Sequence, residues 1–355
     1  VTARPWEEAW QHALYGTDGF YRRGAPAEHF ATSAQGIPGA GRVLAEAVAE
    51  LCARHGCDRV VDVGAGRGEL LRSLREVAPG LHLTGVDVVP RPEGLDVDAW
   101  LVAPGGAALP DALRDLGSTL VLAHEWLDVV PCPVAERDEQ GVWREVRVRR
   151  SAEGAWRESP GPALGGDDLA WAQRWLEPAP LMPGDDSSAV MHQRRGTASA
   201  YESVVRGEIG LPREAALIDL VGRIRSGLVV VVDYGHTAAD RPRHGTLTGF
   251  RDGREVEPVP DGSCDLTAHV AVDALAASLP SPTGHPLAPQ RQREVLLDLI
   301  GDPSPPVPHD LARERPQAYL EALARRAALR ALTSGALGDF WWLVVEVGEQ
   351  PPGRA

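Results

Sequence analysis

Lysine and asparagine are missing from this 355-residue chain altogether, so all 36 of its basic side chains are arginine. Without lysine there is no Schiff-base chemistry and no ordinary pyridoxal-phosphate catalysis. Without asparagine there is no N-glycosylation acceptor. Cysteine is scarce: Cys52, Cys57, Cys132 and Cys264 form no Cys-x-x-Cys pair and no His/Cys cluster at zinc-site spacing. Unpaired thiols in a reducing compartment, and no metal, are expected. Long apolar runs are lacking too. Leu228–Val232 is far too short to span a bilayer, and Val1–Trp10 carries Glu7 and Glu8 where a signal peptide would be apolar. The expectation is a soluble, cytoplasmic protein with no membrane span. Positive charge is in deficit, since 50 acidic residues against 36 arginines leave a net charge of −14. That balance repels a phosphate backbone, and no nucleic-acid partner is expected.

What is present is an alternation of strand and helix patterns. Val43, Leu44, Ala47, Val48 and Leu51 recur at helical spacing within residues 39–54, and Gly56 follows as a stop. Arg59–Val63 is a β-branched run ending in Gly64-Ala65-Gly66-Arg67-Gly68, after which Glu69–Leu74 reads as a helix start. Leu81–Asp87 reads as a second strand with a carboxylate at its C-terminal end. These pieces make a βαβ unit of the doubly wound kind. Thr119–Ala123, leading to His124-Glu125, and Leu228–Val232, leading to Asp233-Tyr234, repeat the pattern of apolar run and polar tip. Ligands of an open α/β sheet lie outside the carboxyl ends of its strands, so the glycine loop, Asp87, Glu125 and Asp233 should converge.

The predicted organisation is a Rossmann-like α/β sheet with helices on both faces. It has an N-terminal helical segment at 1–55, a core at 56–130 and 206–355, and an inserted cap facing the substrate at 131–205. Within that insertion Val142–Val148 reads as a hairpin strand, and Pro/Gly-rich stretches fall near 159–166 and 178–186. Helices are predicted near 212–225 and over 266–279, 289–300 and 316–332, and Phe340–Val347 reads as a last buried strand.

Gly64, Gly66 and Gly68 let backbone approach a ligand closely and aim helix N-terminal amides at it. A dinucleotide fingerprint needs a third glycine where this chain has Glu69, whose carboxylate would face phosphate charge. S-adenosylmethionine has no phosphate. Asp62 suits its ammonium, and Asp87, about 20 residues on, suits its ribose diol. A tight turn beside a solvated aspartate is the alternative.

In this order the motifs resemble the MidA-type S-adenosylmethionine-dependent methyltransferases, which include the mitochondrial complex I assembly arginine methyltransferase. Leu14-Tyr15 with Gly19-Phe20-Tyr21, His29-Phe30-Ala31-Thr32-Ser33 and Val61–Leu70 resemble successive family segments. So do His124–Pro131, Trp143-Arg144-Glu145, Asp233-Tyr234-Gly235, Gly245-Thr246-Leu247 and Asp265–Val270. The likeness continues through Gly284 and Gln290 to Gly338-Asp339-Phe340. The family's Asn before the Glu is His124 here, and its T-S-P-E segment continues as Ala34-Gln35. The resemblance implies methyl transfer, S-adenosylmethionine as cofactor, closure of its pocket by Thr32 and Ser33, and a protein arginine as acceptor. A small-molecule O- or N-methyltransferase of secondary metabolism is the alternative.

Methyl transfer is an in-line displacement, so the protein mainly positions a nucleophile and excludes water. A guanidinium acceptor needs carboxylates to grip it and offset charge. Glu125, which could also touch the cofactor, and Asp128 are the candidates, and a helix N-cap pair is their alternative role. His124 could act as base for a hydroxyl acceptor or be only a hydrogen-bonded partner. Asp233 and Tyr234 end another strand at the same crevice, and the ring could face a cation. Asp265–His269 reads first as the capped start of a helix.

Overall fold

Near-continuous runs of buried, mostly apolar residues build the central sheet, because helices cover both of its faces. The computed structural model describes residues 2–23, 37–177, 205–279, 285–286 and 288–348. The sheet contains β1 (Arg59–Val63), β2 (His82–Asp87), β3 (Ala99–Val102), β4 (Thr119–His124), β5 (Gly227–Asp233) and β6 (Trp341–Val347). Their spatial order is β6-β5-β4-β1-β2-β3. β1 to β5 run parallel, β6 is antiparallel to β5, and His285–Pro286 and Gln290–Arg291 add short pairings beyond β6. The chain winds outward from β1 through β2 to β3, then returns to place β4 on the other flank of β1. This reversal opens a crevice between the C-terminal ends of β1 and β4.

Val60, Leu120, Leu122, Val230 and Trp342 face one side, against α2 (Ala40–His55), α3 (Glu69–Val77), α6 (Gln292–Ile300) and α7 (Pro316–Leu332). Val61, Val63, Val121, Val231 and Leu343 face the other, against α4 (Leu211–Gly222) and α5 (Val272–Ala277). β5 is apolar throughout Leu228–Val232 because it is buried on both faces. α2 ends where Gly56 takes φ +66° and its N–H bonds Cys52 O, a left-handed stop that glycine adopts without strain. All four cysteines are buried and free.

A second sheet is built by Arg4–Pro5, Trp143–Arg150, Val134–Arg137 and Arg206–Glu208, with Trp156–Ala163 paired to Trp143–Arg150. Its apolar residues Val146 and Val148 pack against Trp6, Trp10 and Leu14 of α1 (Trp6–Tyr15). The N-terminal helix thus belongs with strands of the insertion. Trp10 Nε1 also donates to Leu266 O at 3.0 Å, joining α1 to a three-stranded sheet of Thr248–Arg251, Arg254–Val256 and Asp265–Thr267.

The predicted helix over 266–279 is shorter than its pattern. Asp265–Thr267 pairs with Thr248–Phe250, and only Val272–Ala277 is helical. Cross-strand pairing outweighs local helix preference there, so Asp265 starts no helix. β3 went unseen because its residues are half-buried or exposed and carry no clean alternation. Among the described residues no helix is long and apolar enough to cross a membrane, and no group of three or more His, Cys, Asp or Glu is arranged to hold a metal.

Candidate active site

A cavity of about 1340 Å³ opens at the carboxyl ends of β1, β2, β4 and β5. It brings together Asp62, Gly64, Gly66, Asp87, His124, Glu125, Asp128 and Tyr234 from the sequence-derived candidates. Gly68 stands behind this wall as the residue before α3, at φ +73°, where an added Cβ would come within 2.5 Å of Leu95 Cδ2. Gly66, at φ +58°, also needs glycine's freedom. Thr32 and Ser33 lie outside the described residues, as do His29 to Ala31, Ala34, Gln35, residues 178–186 and Gly284. The expected cap at 131–205 contributes no described residue to the cavity wall. That wall comes instead from Tyr15, Tyr21, Arg22 and Arg23 at the N-terminal segment, from residues 240–269, and from Arg291, Ala336, Asp339 and Phe340.

The glycine loop is tied down by β2. Gly64 N and Ala65 N both donate to Val86 O, and the Asp87 carboxylate accepts Gly66 N at 2.8 Å and Val89 N at 3.2 Å. Burial raises the Asp87 pKa, and these amides pull it back. Asp62 is buried, and no hydrogen bond from a described residue reaches its carboxylate. Burial first, then the charges of Asp87 and Glu69, push its pKa up to about 8. A buried carboxylate lining a cavity without a counter-cation suits an ammonium. Three carboxylates around the loop, Asp62, Glu69 and Asp87, oppose a pyrophosphate. The residues fit S-adenosylmethionine: Asp62 would suit its amino group, the loop would allow close backbone contact, and Asp87 would suit the ribose hydroxyls.

At the end of β4 the backbone turns sharply. Glu125 takes φ +51°, a left-handed conformation uncommon outside glycine, and its N–H donates to Val232 O at 2.8 Å. The turn swings the Glu125 side chain toward the cavity. Its Oε1 stands 3.9 Å from His124 Nε2. Burial pushes His124 down to about 4, so the imidazole is neutral in the physiological range. No helix follows Glu125, and Asp128 caps none. Asp128 Oδ2 accepts from the Tyr234 hydroxyl and from Thr267 Oγ1, the latter at 2.7 Å. Asp128 Oδ1 is buried with no partner among the described residues. Its pKa is raised by burial and lowered in part by the Tyr234 hydroxyl.

Asp233 departs from its expected catalytic place. It does not line the cavity: its side chain turns inward, where Oδ2 accepts Leu127 N at 3.1 Å and Asp128 N at 3.3 Å. Asp233 positions the loop that carries Asp128. Tyr234 does reach the cavity, its ring against His269 at 5.2 Å and Phe340 at 5.5 Å. Tyr21, Asp265, Thr267 and His269 also line the cavity and were not among the sequence candidates. Asp265 and Thr267 alternate on one strand face, a period-2 signal hidden by the apparent helix start.

The fold and this site define a doubly wound α/β protein with a nucleoside-cofactor crevice. The family model described as "Putative S-adenosyl-L-methionine-dependent methyltransferase" matches residues 100–284, just over half of the chain, and the chain belongs to that family. It is an enzyme that uses S-adenosylmethionine. A structure from Burkholderia thailandensis, solved with bound S-adenosyl-homocysteine, is similar over 97% of this chain and 88% of its own, with 21% identity and a TM-score of 0.72. A native structure of an uncharacterised protein from the same organism matches over 99% of this chain and 88% of its own, with 21% identity and a TM-score of 0.68. Both likenesses show the fold. No curated protein matches the chain.

Proposed function

We propose that this methyltransferase is of the MidA type and transfers its methyl group to an arginine side chain of a protein. The observation that carries the reading is the acidic part of the cavity wall that includes Glu125 and the buried Asp128, the latter hydrogen-bonded by the Tyr234 hydroxyl. Such a wall favours an acceptor that is cationic when it enters and stays cationic after methylation. Bound S-adenosylmethionine supplies an electrophilic methyl group on sulfonium. Glu125 and Asp128 grip the guanidinium N–H groups, orient one nitrogen and hold negative charge where the nitrogen's proton departs. In the balanced reaction a nitrogen–carbon bond forms, the sulfur–carbon bond breaks, and one proton leaves the acceptor. Neutral His124 beside Glu125 can relay that proton.

Radiolabelled S-adenosylmethionine incubated with enzyme and lysate, followed by acid hydrolysis of the protein fraction, tests this. Label in methylarginine supports the reading. Label confined to small-molecule extract overturns it in favour of an O- or N-methyltransferase of secondary metabolism.

A further inference from the structure

In the wall of the same cavity, two buried carboxylates are each held by a tyrosine hydroxyl. Tyr234 donates to Asp128, and Tyr21 donates to Asp265 Oδ1 at 2.7 Å. Asp265 and Thr267 are two residues apart on one strand, so their side chains leave the same face roughly 7 Å apart. Thr267 Oγ1 reaches Asp128 Oδ2 at 2.7 Å, which brings Asp128 and Asp265 to neighbouring points of a single wall. Their exposures are 4% and 3%. Two acids this deeply buried need a cation between them or must hold protons. The Arg213 charge reaches Asp128 and offsets its burial only in part, and the guanidinium's N–H groups donate to the backbone oxygens of Val130, His269 and Asp128.

We propose that Asp265 is the second acid of the acceptor site, that the acceptor guanidinium lies between Asp128 and Asp265, and that Tyr21 is the positioning residue for Asp265. The inference rests on the arginine reading above and extends it to residues that reading does not use. A planar guanidinium carries five N–H donors in a fixed fork, enough to engage two carboxylates at once. A neutral urea of the same shape lacks the charge that offsets both acids. Selectivity for the cation is thereby tied to the N-terminal segment, since Tyr21 sits in the short helix Phe20–Arg23 outside the sheet.

The test uses the full chain saturated with S-adenosylhomocysteine and titrated by calorimetry. The probes are agmatine, a guanidinium with a terminal ammonium, and N-carbamoylputrescine, which keeps that ammonium and carries a neutral urea in place of the guanidinium. The wild-type protein should bind agmatine more tightly. Asp265→Asn should cut agmatine affinity by about tenfold or more and leave the urea unchanged, collapsing the ratio. Tyr21→Phe keeps the ring and removes only the hydroxyl, and should shrink the ratio by roughly three- to tenfold. Unaltered S-adenosylhomocysteine affinity in both variants shows that they are folded, and a merely structural role would not move the ratio. If Asp265→Asn does not fold, the same ratio in Tyr21→Phe decides. An unchanged ratio overturns the role of Asp265 and leaves the arginine reading standing. A wild-type protein that fails to distinguish the two probes overturns that reading, and this inference with it.

Discussion

Asp87 Oδ2 accepts the Gly66 amide at 2.8 Å, so the side chain assigned to the ribose also fixes the glycine loop. Asp87→Ala should therefore remove a charged partner of the cofactor and release the loop together. S-adenosylhomocysteine affinity should fall by about 1.5–3 kcal/mol in calorimetry, and the unliganded protein should melt earlier. Unchanged affinity would show that the diol is held elsewhere.

With the cofactor's ammonium proposed to lie on Asp62, cofactor binding should depend on pH. Its folded pKa of about 8 lies above the unbound carboxyl value of 3.8, so the folded chain holds this proton more tightly than the unfolded chain. The contribution to stability is full below 3.8 and is lost as pH rises toward 8. The unliganded wild type should lose melting temperature over that window relative to Asp62→Asn. Binding of the cofactor's ammonium favours the carboxylate, so S-adenosylhomocysteine affinity should rise with pH up to about 8 and then level. Calorimetry in buffers of different ionisation enthalpy should detect proton release. A wild type with no release, or a variant with the same pH slope, would remove Asp62 from the amino-group site.

Asp233 gives a stability effect where the sequence suggested a chemical one. Asp233→Ala leaves the buried Leu127 and Asp128 amides without their acceptor. Each unpaired donor costs about 1–3 kcal/mol. Denaturant unfolding should report a loss of that order, with turnover reduced because Asp128 is no longer placed. If Asp233→Ala unfolds like the wild type yet is inactive, Asp233 has a direct part in the chemistry.

The central fold was legible because its signals are local. β1, the glycine loop and α3 follow one another within Arg59–Val77, and the end of β2 delivers Asp87 with no help from distant residues. The wall that joins Asp128, Thr267, Asp265 and Tyr21 was not legible for the opposite reason. Tyr21 and Asp265 are 244 residues apart and meet through one hydrogen bond, and Asp128 meets Thr267 across 139 residues. No periodicity within either segment encodes such a meeting. Asp265–His269 even carries the local look of a helix start, and only its pairing with Thr248–Phe250 makes it a strand. Asp233 was misplaced because a strand-end carboxylate can point into the crevice or back under a neighbouring loop, and sequence distinguishes neither.

Glu125 combines a strained backbone with an acidic side chain, and two substitutions separate the two properties. Holding a non-glycine residue at φ +51° costs on the order of 1–2 kcal/mol. Glu125→Gly relieves that strain and should leave the melting temperature level or raised, while turnover collapses. Glu125→Gln keeps the shape and backbone but loses the charge that offsets a guanidinium. Its turnover should fall by more than about tenfold, with S-adenosylhomocysteine affinity nearly unchanged, if the cofactor contacts fall to Asp62 and Asp87 as proposed. The neutral state of His124 sharpens the contrast: its pKa near 4 predicts no loss of turnover on acidification through pH 6.5 from this imidazole. Should Glu125→Gln keep full turnover while His124→Ala is inactive, the acid-gripped guanidinium is the wrong acceptor. A hydroxyl or amine acceptor with His124 as base then becomes the better account.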